Sequence, residues 1–345
     1  MSLPPLPPQP AGVAWPTAAW PEGPLPAGAD RAGIDRLLDF AFSPASLDTM
    51  GHTHALVVIQ HGRLVLERYD AAHGPDMTYP SWSKAKSITH ALVGIAVGDG
   101  KLDISAPADV PEWSKPGDPR AAITLDLLLR MSSGLAFVEV YTPEDPSDVI
   151  AMLFGEGKDD VAGYAAAKPL AHAPGSFWSY SSGTSNIVSR TLARAVGAVG
   201  TDFEAFMRRR LFDPIGMTSA IPKFDAAGTF IGSSFCFCTA RDFARFGLLY
   251  LRGGVWDGRR ILPEGWVDYA RTQTWQQPND DGDYGAHWWL GLAGPGSFSA
   301  NGYDGQYTVV IPDLDMVVVR HGQSPETTKE ARVAWIADLV SCFRR

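Results

Sequence analysis

Segments with the pattern of β-strands lie near both ends of the chain, and a long stretch with helical patterns separates them. The strand segments cover about 55–61, 64–69, 288–292, 307–311 and 316–320. Strands from the two ends of a chain can share one antiparallel sheet when the helical stretch between them is an insertion. We therefore predict an α/β (α+β) fold, with an antiparallel sheet flanked by helices and an inserted, mostly helical domain.

The patterns also suggest how the chain is divided. The predicted helices cover about 31–40, 184–195, 203–211, 240–251 and 329–343, besides one that follows residue 83. We expect an extended N-terminal arm at 1–29, an α/β sheet domain formed by 30–102 and 226–345, and a helical domain at 103–225. The arm begins with a proline-rich run, which favours an extended chain that either wraps around the body or stays mobile.

The segment Ser81-Trp-Ser-Lys-Ala-Lys-Ser-Ile-Thr89 holds two overlapping S-x-x-K patterns, which occur nowhere else in the chain. A serine hydroxyl is a poor nucleophile until a base takes its proton. Residues three apart on a helix lie on one face, with Cβ atoms roughly 5–6 Å apart. A lysine at that spacing can act as the base if burial or a neighbouring cation lowers its pKa. The segment therefore predicts a serine nucleophile with a lysine base.

Of the two pairs, Ser83 with Lys86 is the better candidate. The apolar stripe after Ser83 has helical spacing and comprises Ile88, Ala91, Leu92, Ile95 and Ala96. Ser83 should thus lie at the helix start, where unpaired N–H groups and the positive end of the dipole gather, and its own N–H can help to hold an oxyanion. Ser81 should precede the helix, after the extended Tyr79-Pro80. The alternative is that Ser83 only caps the helix and that both lysines are solvated.

The segment 81–102 resembles the nucleophile helix of the serine β-lactamase and penicillin-binding protein superfamily. The closest branch is that of class C-like β-lactamases, their esterase relatives and 6-aminohexanoate-dimer hydrolases. Further segments similar to this branch are 123–135, 211–217, 239–250 and 261–266, so that the resemblance runs from about residue 55 to about residue 320. It implies the same fold that the strand and helix patterns predict, with Ser83 as nucleophile and Lys86 as base.

The resemblance also implies a tyrosine in the site. The second motif of the family is Tyr-x-Asn after Pro-Gly, and here Tyr180 follows Pro174-Gly175 at the matching distance. A polarised phenol near the serine can pass a proton to the leaving group. The alternative is an ordinary half-buried tyrosine. Ser182 stands where the family has Asn, and we expect it to contact the substrate with fewer fixed hydrogen bonds than a carboxamide makes.

The third motif of the family, Lys-Thr-Gly or His-x-Gly, is absent from the chain, and Ala300-Asn301-Gly302 is the best positional match. The resemblance then assigns the second oxyanion donor to the backbone N–H of Tyr303, and substrate contacts to Asn301. Ala300 lacks the cation that holds the substrate carboxylate in β-lactam-directed members, which favours neutral substrates. Tyr141 lies in a segment, 139–148, that resembles a loop over the site in aminohexanoate-dimer hydrolases. There it either contacts the substrate or lies on an ordinary surface loop.

The resulting hypothesis is a serine hydrolase that cleaves a small amide or carboxylic ester through an acyl-enzyme. One alternative is β-lactamase or D-Ala-D-Ala peptidase-like activity. Another is a non-catalytic ligand-binding relative, in which the altered second and third motifs reflect lost chemistry. A Ser-His-Asp hydrolase is disfavoured because the chain contains no G-x-S-x-G.

The composition of the chain limits the kinds of partner and cofactor that we expect. A net charge of −9 without a basic cluster argues against nucleic acid. Three cysteines cannot form a complete disulfide framework, and Cys236-x-Cys238 is interpreted as two same-side strand residues. His52-Thr-His54 has no acidic or cysteine partner at ligand spacing, so we expect no metal, and we expect no cofactor. The N-terminus lacks a signal-peptide pattern and no apolar run could span a membrane, so we expect a cytoplasmic protein, with a homodimer as a possible assembly.

Overall fold

The computed structural model describes residues 3–141, 146–274 and 282–344. Its helices are α1 (Arg31–Ala41), α2 (Leu47–Met50), α3 (Lys84–Gly98), α4 (Leu125–Leu129), α5 (Asp148–Phe154), α6 (Val161–Ala166), α7 (Ser182–Val196), α8 (Gly200–Met207), α9 (Asp213–Ile215), α10 (Ala240–Leu251), α11 (Trp266–Ala270) and α12 (Lys329–Ser341). Its strands are β1 (His52–Gln60), β2 (Arg63–Tyr69), β3 (Thr78–Tyr79), β4 (Ile221–Pro222), β5 (Cys236–Thr239), β6 (Val255–Trp256), β7 (Arg259–Arg260), β8 (Trp289–Leu290), β9 (Phe298–Gly302), β10 (Gln306–Ile311) and β11 (Met316–Gln323).

The main sheet has six strands in the order β2-β1-β11-β10-β9-β8, and every neighbouring pair is antiparallel. The strands β1 and β11, from opposite ends of the chain, pair from His52↔Gln323 to Gln60↔Met316. Helices α3 to α11 lie in sequence between β2 and β8, that is, between the two groups of strands that form this sheet. The predicted fold, an antiparallel sheet made from both chain ends with helices around it, is confirmed. The division into an arm and two domains stays a prediction.

Side chains alternate between the two faces of this sheet, as expected for a period of two residues. Leu56, Val58 and Val318 pack on one face in a cluster that includes residues of α1 and α12. Val57, Ile59 and Val317 face the other way, into a larger cluster that includes α3 and α10. The continuous apolar runs of β1 and β11 follow from this burial on both faces. Helix α3 therefore lies against a rigid, fully buried surface.

Two local predictions need correction. The strand expected at Cys236-x-Cys238 is present as β5, and it joins the two-residue strands β3 and β4 in a small sheet of order β3-β5-β4. The sequence patterns did not predict β3, β4 or β9. The helix predicted at 203–211 is instead α8 followed by a π-helical turn, Arg208–Phe212. We attribute the wider turn to Pro214, which cannot donate to the carbonyl of Arg210 and would clash with it in a regular helix.

The N-terminal arm is docked along the body. Gly23 N–H donates to the carbonyl of Leu64, and Leu64 N–H donates to the carbonyl of Pro21. Arg245 Nε donates to the carbonyl of Pro16 at 2.7 Å. Of the two alternatives for the arm, the structure thus shows the wrapped one. None of the helices in the described parts of the chain is both long and apolar enough to cross a membrane.

Candidate active site

Ser83 is the N-cap residue that immediately precedes α3, and its side chain makes no capping hydrogen bond to the helix. It is half-buried. Lys86, one turn further along, places Nζ 3.0 Å from Ser83 Oγ. The predicted pair is therefore in contact, and the serine hydroxyl is left available to the lysine because the helix start does not use it as a cap.

Lys86 is held by three oxygen atoms in a dry environment. Its side chain is buried, and Nζ also donates to Ser182 Oγ at 2.9 Å and to the carbonyl of Ser233 at 3.1 Å. Burial lowers the pKa of Lys86 to about 8, while the carboxylate of Glu139 opposes the shift. Desolvation favours the neutral amine because it penalises the charged form. Near neutral pH a useful fraction of Lys86 can therefore accept a proton.

The overlapping pair, Ser81 and Lys84, has different partners. Ser81 is fully buried, donates through Oγ to the carbonyl of Ser234 at 2.9 Å and accepts from the N–H of Cys236 at 2.9 Å. Lys84 Nζ lies 3.3 Å from His321 Nε2 and 3.3 Å from the ring centroid of Phe243. Ser81 thus joins the nucleophile segment to β5, and its hydroxyl is already occupied on both sides.

Tyr180 lies beside the same lysine. The distance from Lys86 Nζ to the centroid of the Tyr180 ring is 4.7 Å. The ring packs against Tyr284 and Trp289, with centroid distances of 5.9 Å and 5.3 Å. The structure therefore brings the three predicted catalytic residues, from α3 and from the segment before α7, into one place.

Glu139 is a member of the site that the sequence reasoning missed. Its Oε1 accepts from Ser182 Oγ at 2.6 Å and from the Tyr141 hydroxyl at 2.5 Å, and its Oε2 accepts from the N–H of Ser182 at 2.7 Å. Ser182 is the first residue of α7, where a carboxylate is favoured by the helix dipole. The only signal in the sequence was the position of Glu139 in the loop segment that holds Tyr141. Residues 142–145 of that loop lie outside the described residues.

Tyr141 lies at the entrance of the site. Burial of its hydroxyl and the neighbouring carboxylate of Glu139 raise the pKa of Tyr141 well above its usual value. Its ring lies 5.3 Å from that of Tyr303, and 44% of the residue is exposed. The Tyr141 hydroxyl therefore donates to Glu139, while part of the Tyr141 ring is exposed to solvent.

The end of β9 runs directly against the chain that precedes Ser83. A Cβ at Gly302 would lie 2.4 Å from the carbonyl oxygen of Ser81, so only glycine fits at this distance. The next residue, Tyr303, packs its ring against Trp82 at 5.7 Å. In the part of the chain that the structure describes, the backbone N–H groups of Ser83 and Tyr303 make no hydrogen bond to a turn or loop carbonyl.

Asn301 borders the site with its backbone. It pairs with Tyr307, which packs in the cluster on the α1 and α12 face, and cross-strand partners share a face. Its side chain is therefore on the face of the sheet opposite to α3, where Oδ1 is buried without a hydrogen-bond partner among the described residues. A role for Asn301 in substrate binding stays a prediction.

His287 is a second residue that the sequence reasoning missed. Its Nδ1 donates to the carbonyl of Lys86 at 2.9 Å, so Nε2 accepts from Ser185 Oγ at 3.1 Å. Burial and the charge of Lys86 lower the pKa of His287 to about 3. The imidazole is consequently neutral, and it connects α3 to α7 rather than acting as a base. No sequence motif marks this residue.

A cluster of potential metal ligands lies at the ends of β1 and β2. His54 Nδ1 is 2.8 Å from one oxygen of Asp70, and His73 Nδ1 is 2.7 Å from the other. The sequence reasoning missed this acidic partner because strand pairing, not sequence spacing, brings it to His54. Burial would raise the pKa of Asp70, but the bonds from both imidazoles lower it to about 2. The short N···O distances are those of hydrogen bonds, and the absence of a metal stays a prediction.

The sequence and the fold are similar to those of known proteins. A family model described as Beta-lactamase matches residues 49–342. The 6-aminohexanoate-dimer hydrolase of Paenarthrobacter ureafaciens is 26% identical in an alignment of 306 residues that covers 79% of this chain and 73% of that protein. The solved structure "Putative 6-aminohexanoate-dimer hydrolase from Bacillus anthracis" superposes with a TM-score of 0.76 at 22% identity, over 99% of this chain and 91% of that one. A family VIII carboxylesterase superposes with a TM-score of 0.70 at 14% identity, over 93% of this chain and 99% of that one.

Proposed function

Because the chain belongs to the Beta-lactamase family of hydrolases, we propose that it is a serine hydrolase that cleaves a small amide or carboxylic ester through an acyl-enzyme. The observation that carries this proposal is the contact between Ser83 and Lys86. An amine 3.0 Å from the hydroxyl, with a pKa lowered to about 8, has the distance and the basicity that a general base needs. In the alternative of a serine that merely caps a helix, the hydroxyl would be bonded to the helix N–H groups.

In the proposed acylation step, neutral Lys86 accepts the proton of Ser83 Oγ while Oγ attacks the substrate carbonyl. The negative charge that develops on the carbonyl oxygen is held by the N–H groups of Ser83 and Tyr303. Tyr180 passes a proton to the leaving alcohol or amine as the C–O or C–N bond breaks. Water then attacks the acyl-enzyme carbonyl and gives a proton to the Tyr180 phenolate. The Lys86 ammonium returns its proton to Ser83 Oγ as the acyl C–O bond breaks and the carboxylic acid leaves.

Glu139 and His287 have positioning roles in this proposal. Glu139 fixes Ser182 through two hydrogen bonds, and Ser182 in turn accepts from Lys86. His287 fixes the backbone of Lys86 relative to α7 through Ser185. Both therefore keep the amine directed at Ser83 without contacting the reacting atoms, in the way that outer groups orient catalytic ones.

Charge favours a neutral substrate. Ala300 takes the place of the cation in the third motif, and the carboxylate of Glu139 is bonded to Ser182 at the site. Among the described residues, Lys86 is the cation that hydrogen bonds place at Ser83, and the reaction requires it in its neutral form. This disfavours the alternative of β-lactam hydrolysis. The similarity to an amide-bond hydrolase and to the fold of a carboxylesterase supports amides and esters as the class.

The test is a panel of p-nitrophenyl esters, linear amides and nitrocefin, measured with the wild type and with Ser83→Ala. We expect turnover of esters or amides that Ser83→Ala lowers by about 10³-fold or more, and slower turnover of nitrocefin. Nitrocefin turnover equal to that of the esters would favour the β-lactamase alternative. Turnover that persists in Ser83→Ala would contradict the proposed nucleophile, and a folded but inactive wild type would favour the ligand-binding alternative.

A further inference from the structure

Five aromatic rings form a continuous arc, here called the aromatic arc, defined by Phe154, Phe235, Trp82, Tyr303 and Tyr141. Successive ring centroids along it are 6.1, 5.6, 5.7 and 5.3 Å apart. Such distances are those of packed aromatic pairs. The five residues come from five separate segments of the chain, so no local sequence pattern predicts that their rings are in contact.

Members of the arc flank the catalytic atoms. Trp82 immediately precedes Ser83, and Phe235 follows two residues after Ser233, whose carbonyl accepts from Lys86. Tyr303 carries the N–H proposed for the oxyanion, and its ring contacts Trp82. Because Trp82, Phe235 and Tyr303 are adjacent to residues of the candidate site, the arc borders that site.

Tyr141 and Phe154 complete the arc on the side of the helical region. Tyr141 is joined to the site through Glu139. Phe154 ends α5 and packs against Phe235. From Trp82, next to the nucleophile, two ring contacts lead to Phe154 and two lead to Tyr141.

The arc keeps much of its apolar surface in water. Phe154 is 55% exposed and Tyr303 is 39% exposed. Trp82 adopts φ 43°, a left-handed conformation that a bulky side chain rarely takes and that costs conformational free energy. Exposed aromatic surface and backbone strain both lower stability, and their coincidence beside a nucleophile is typical of a binding surface.

We propose that the aromatic arc binds the apolar part of the substrate, so that the enzyme prefers neutral esters or amides with an acyl chain of about six carbons or an aryl group over acetyl or anionic substrates. This inference rests on the proposed function. None of the five side chains carries a charge, and the nearby Glu139 carboxylate repels an anionic chain. Burying a methylene group against the arc lowers the free energy of the transition state for longer substrates.

The experiment compares p-nitrophenyl acetate, p-nitrophenyl hexanoate and the mono-p-nitrophenyl ester of adipic acid, which has the six-carbon chain with a terminal carboxylate. We expect kcat/KM for the hexanoate to exceed that for the acetate by about 10–100-fold, since each buried methylene contributes up to about fourfold. We expect the adipate ester to be at least about tenfold poorer than the hexanoate, because its carboxylate would be desolvated without a partner.

Phe154→Ala is the variant of choice because Phe154 is exposed at the end of a helix, whereas Trp82 is next to the nucleophile. We expect the ratio of kcat/KM for hexanoate over acetate to fall about fivefold in Phe154→Ala. Phe40→Ala is the matched control, since Phe40 is an exposed phenylalanine of α1 on the other side of the main sheet, 37% exposed. The ratio should stay at the wild-type value in this control.

A ratio near one in the wild type, a ratio unchanged in Phe154→Ala, or an adipate ester as good as the hexanoate would overturn the inference while Ser83-dependent turnover upholds the proposed function. If the wild type turns over none of the esters and none of the linear amides, the proposed function fails, and the hexanoate ester then serves as a ligand for calorimetry. Weaker binding to Phe154→Ala than to Phe40→Ala would still support the arc, and equal binding would contradict it.

Discussion

Two buried lysines on one helix turn show how much the partners of a side chain decide its chemistry. Lys86 contacts the Ser83 hydroxyl, whereas Lys84 contacts His321 and the face of Phe243. Burial lowers the pKa of both. A lowered pKa therefore does not distinguish the candidate base from the other lysine. The distinction is that the amine of Lys86 contacts a serine hydroxyl.

Lys86→Met should remove the general base and lower kcat/KM for p-nitrophenyl esters by about 10²–10⁴-fold, the usual range for such a group. Lys84→Met is the matched control because it removes an equally buried amine from the same helix turn. It should keep kcat/KM within about threefold, since methionine fills a similar volume. Steady-state kinetics with both variants, together with thermal unfolding to verify folding, checks this. The reverse pattern would reassign the base to Lys84.

The pH profile tests the same amine in a different way. Because neutral Lys86 is the required form and its pKa is lowered to about 8, kcat/KM should rise about tenfold per pH unit below that value and level off above it. The Glu139 carboxylate raises the pKa of Lys86, so Glu139→Gln should move the midpoint to lower pH. Glu330→Gln, an exposed change on α12, is the control. A midpoint that stays in place or moves upward in Glu139→Gln contradicts this electrostatic coupling.

Among the elements, the contact between β9 and the start of α3 decides whether the oxyanion can be held from two sides. Gly302 packs against the carbonyl of Ser81, and the following residue supplies the proposed second N–H. The position of β9 is fixed by its pairing with β10 from Gly302↔Gln306 to Phe298↔Val310. The register of β9 in the sheet therefore determines where the N–H of Tyr303 lies relative to Ser83.

Gly302→Ala should push β9 away from the nucleophile segment, because its Cβ would come within 2.4 Å of a backbone oxygen that cannot move freely. We expect a loss of about 1–3 kcal/mol in the free energy of unfolding, as for other overpacked positions. We also expect kcat to fall more than the stability change explains, since an oxyanion donor moves. Gly74→Ala, where an added Cβ meets open space, should change neither quantity. Urea unfolding and initial rates of both variants decide the matter.

The sequence predicted those elements and contacts that depend on local spacing. The main strands, α1, α10 and α12, and the placement of Ser83 at a helix start all follow from periodicities within single segments. The pairing of Ser83 with Lys86 is likewise local, since three residues separate them. Strand β9 was missed because its five residues include Asn and Gly, which have low strand propensity.

At the scale of the whole molecule, contacts between residues that are far apart in the sequence place side chains at the site that no local pattern predicts. Glu139 reaches Ser182 from 43 residues away, and His287 reaches the carbonyl of Lys86 from 201 residues away. The His54 and Asp70 contact likewise depends on the pairing of β1 with β2. No spacing rule links such positions, because the fold and not the local pattern brings them together.

The docked N-terminal arm also depends on contacts between residues that are far apart in the sequence. It provides acceptors for three side chains of the body: Gln9 Oε1 for Arg252 Nε at 2.9 Å, the carbonyl of Pro16 for Arg245 Nε, and Thr17 Oγ1 for Trp256 Nε1 at 2.7 Å. All three donors belong to buried residues. The arm is therefore part of the folded body rather than an appendage.

Deletion of residues 1–20 should lower Tm by several degrees, since each buried donor left without an acceptor costs about 1–3 kcal/mol. None of these contacts involves a candidate-site residue, so kcat/KM of the truncated protein below its Tm should stay within about twofold of the full chain. Calorimetry and ester kinetics on the two proteins provide the comparison. An unchanged Tm would show that the docked arm contributes nothing to stability.

The most direct test of the central claim is to label the protein with a fluorophosphonate and to locate the adduct by tandem mass spectrometry. A nucleophile activated by Lys86 should carry the phosphonyl group on Ser83, and labelling should be lost in Ser83→Ala and strongly slowed in Lys86→Met. An adduct on Ser81, or a folded wild-type protein that stays unlabelled, would contradict the claim that this serine performs acyl transfer.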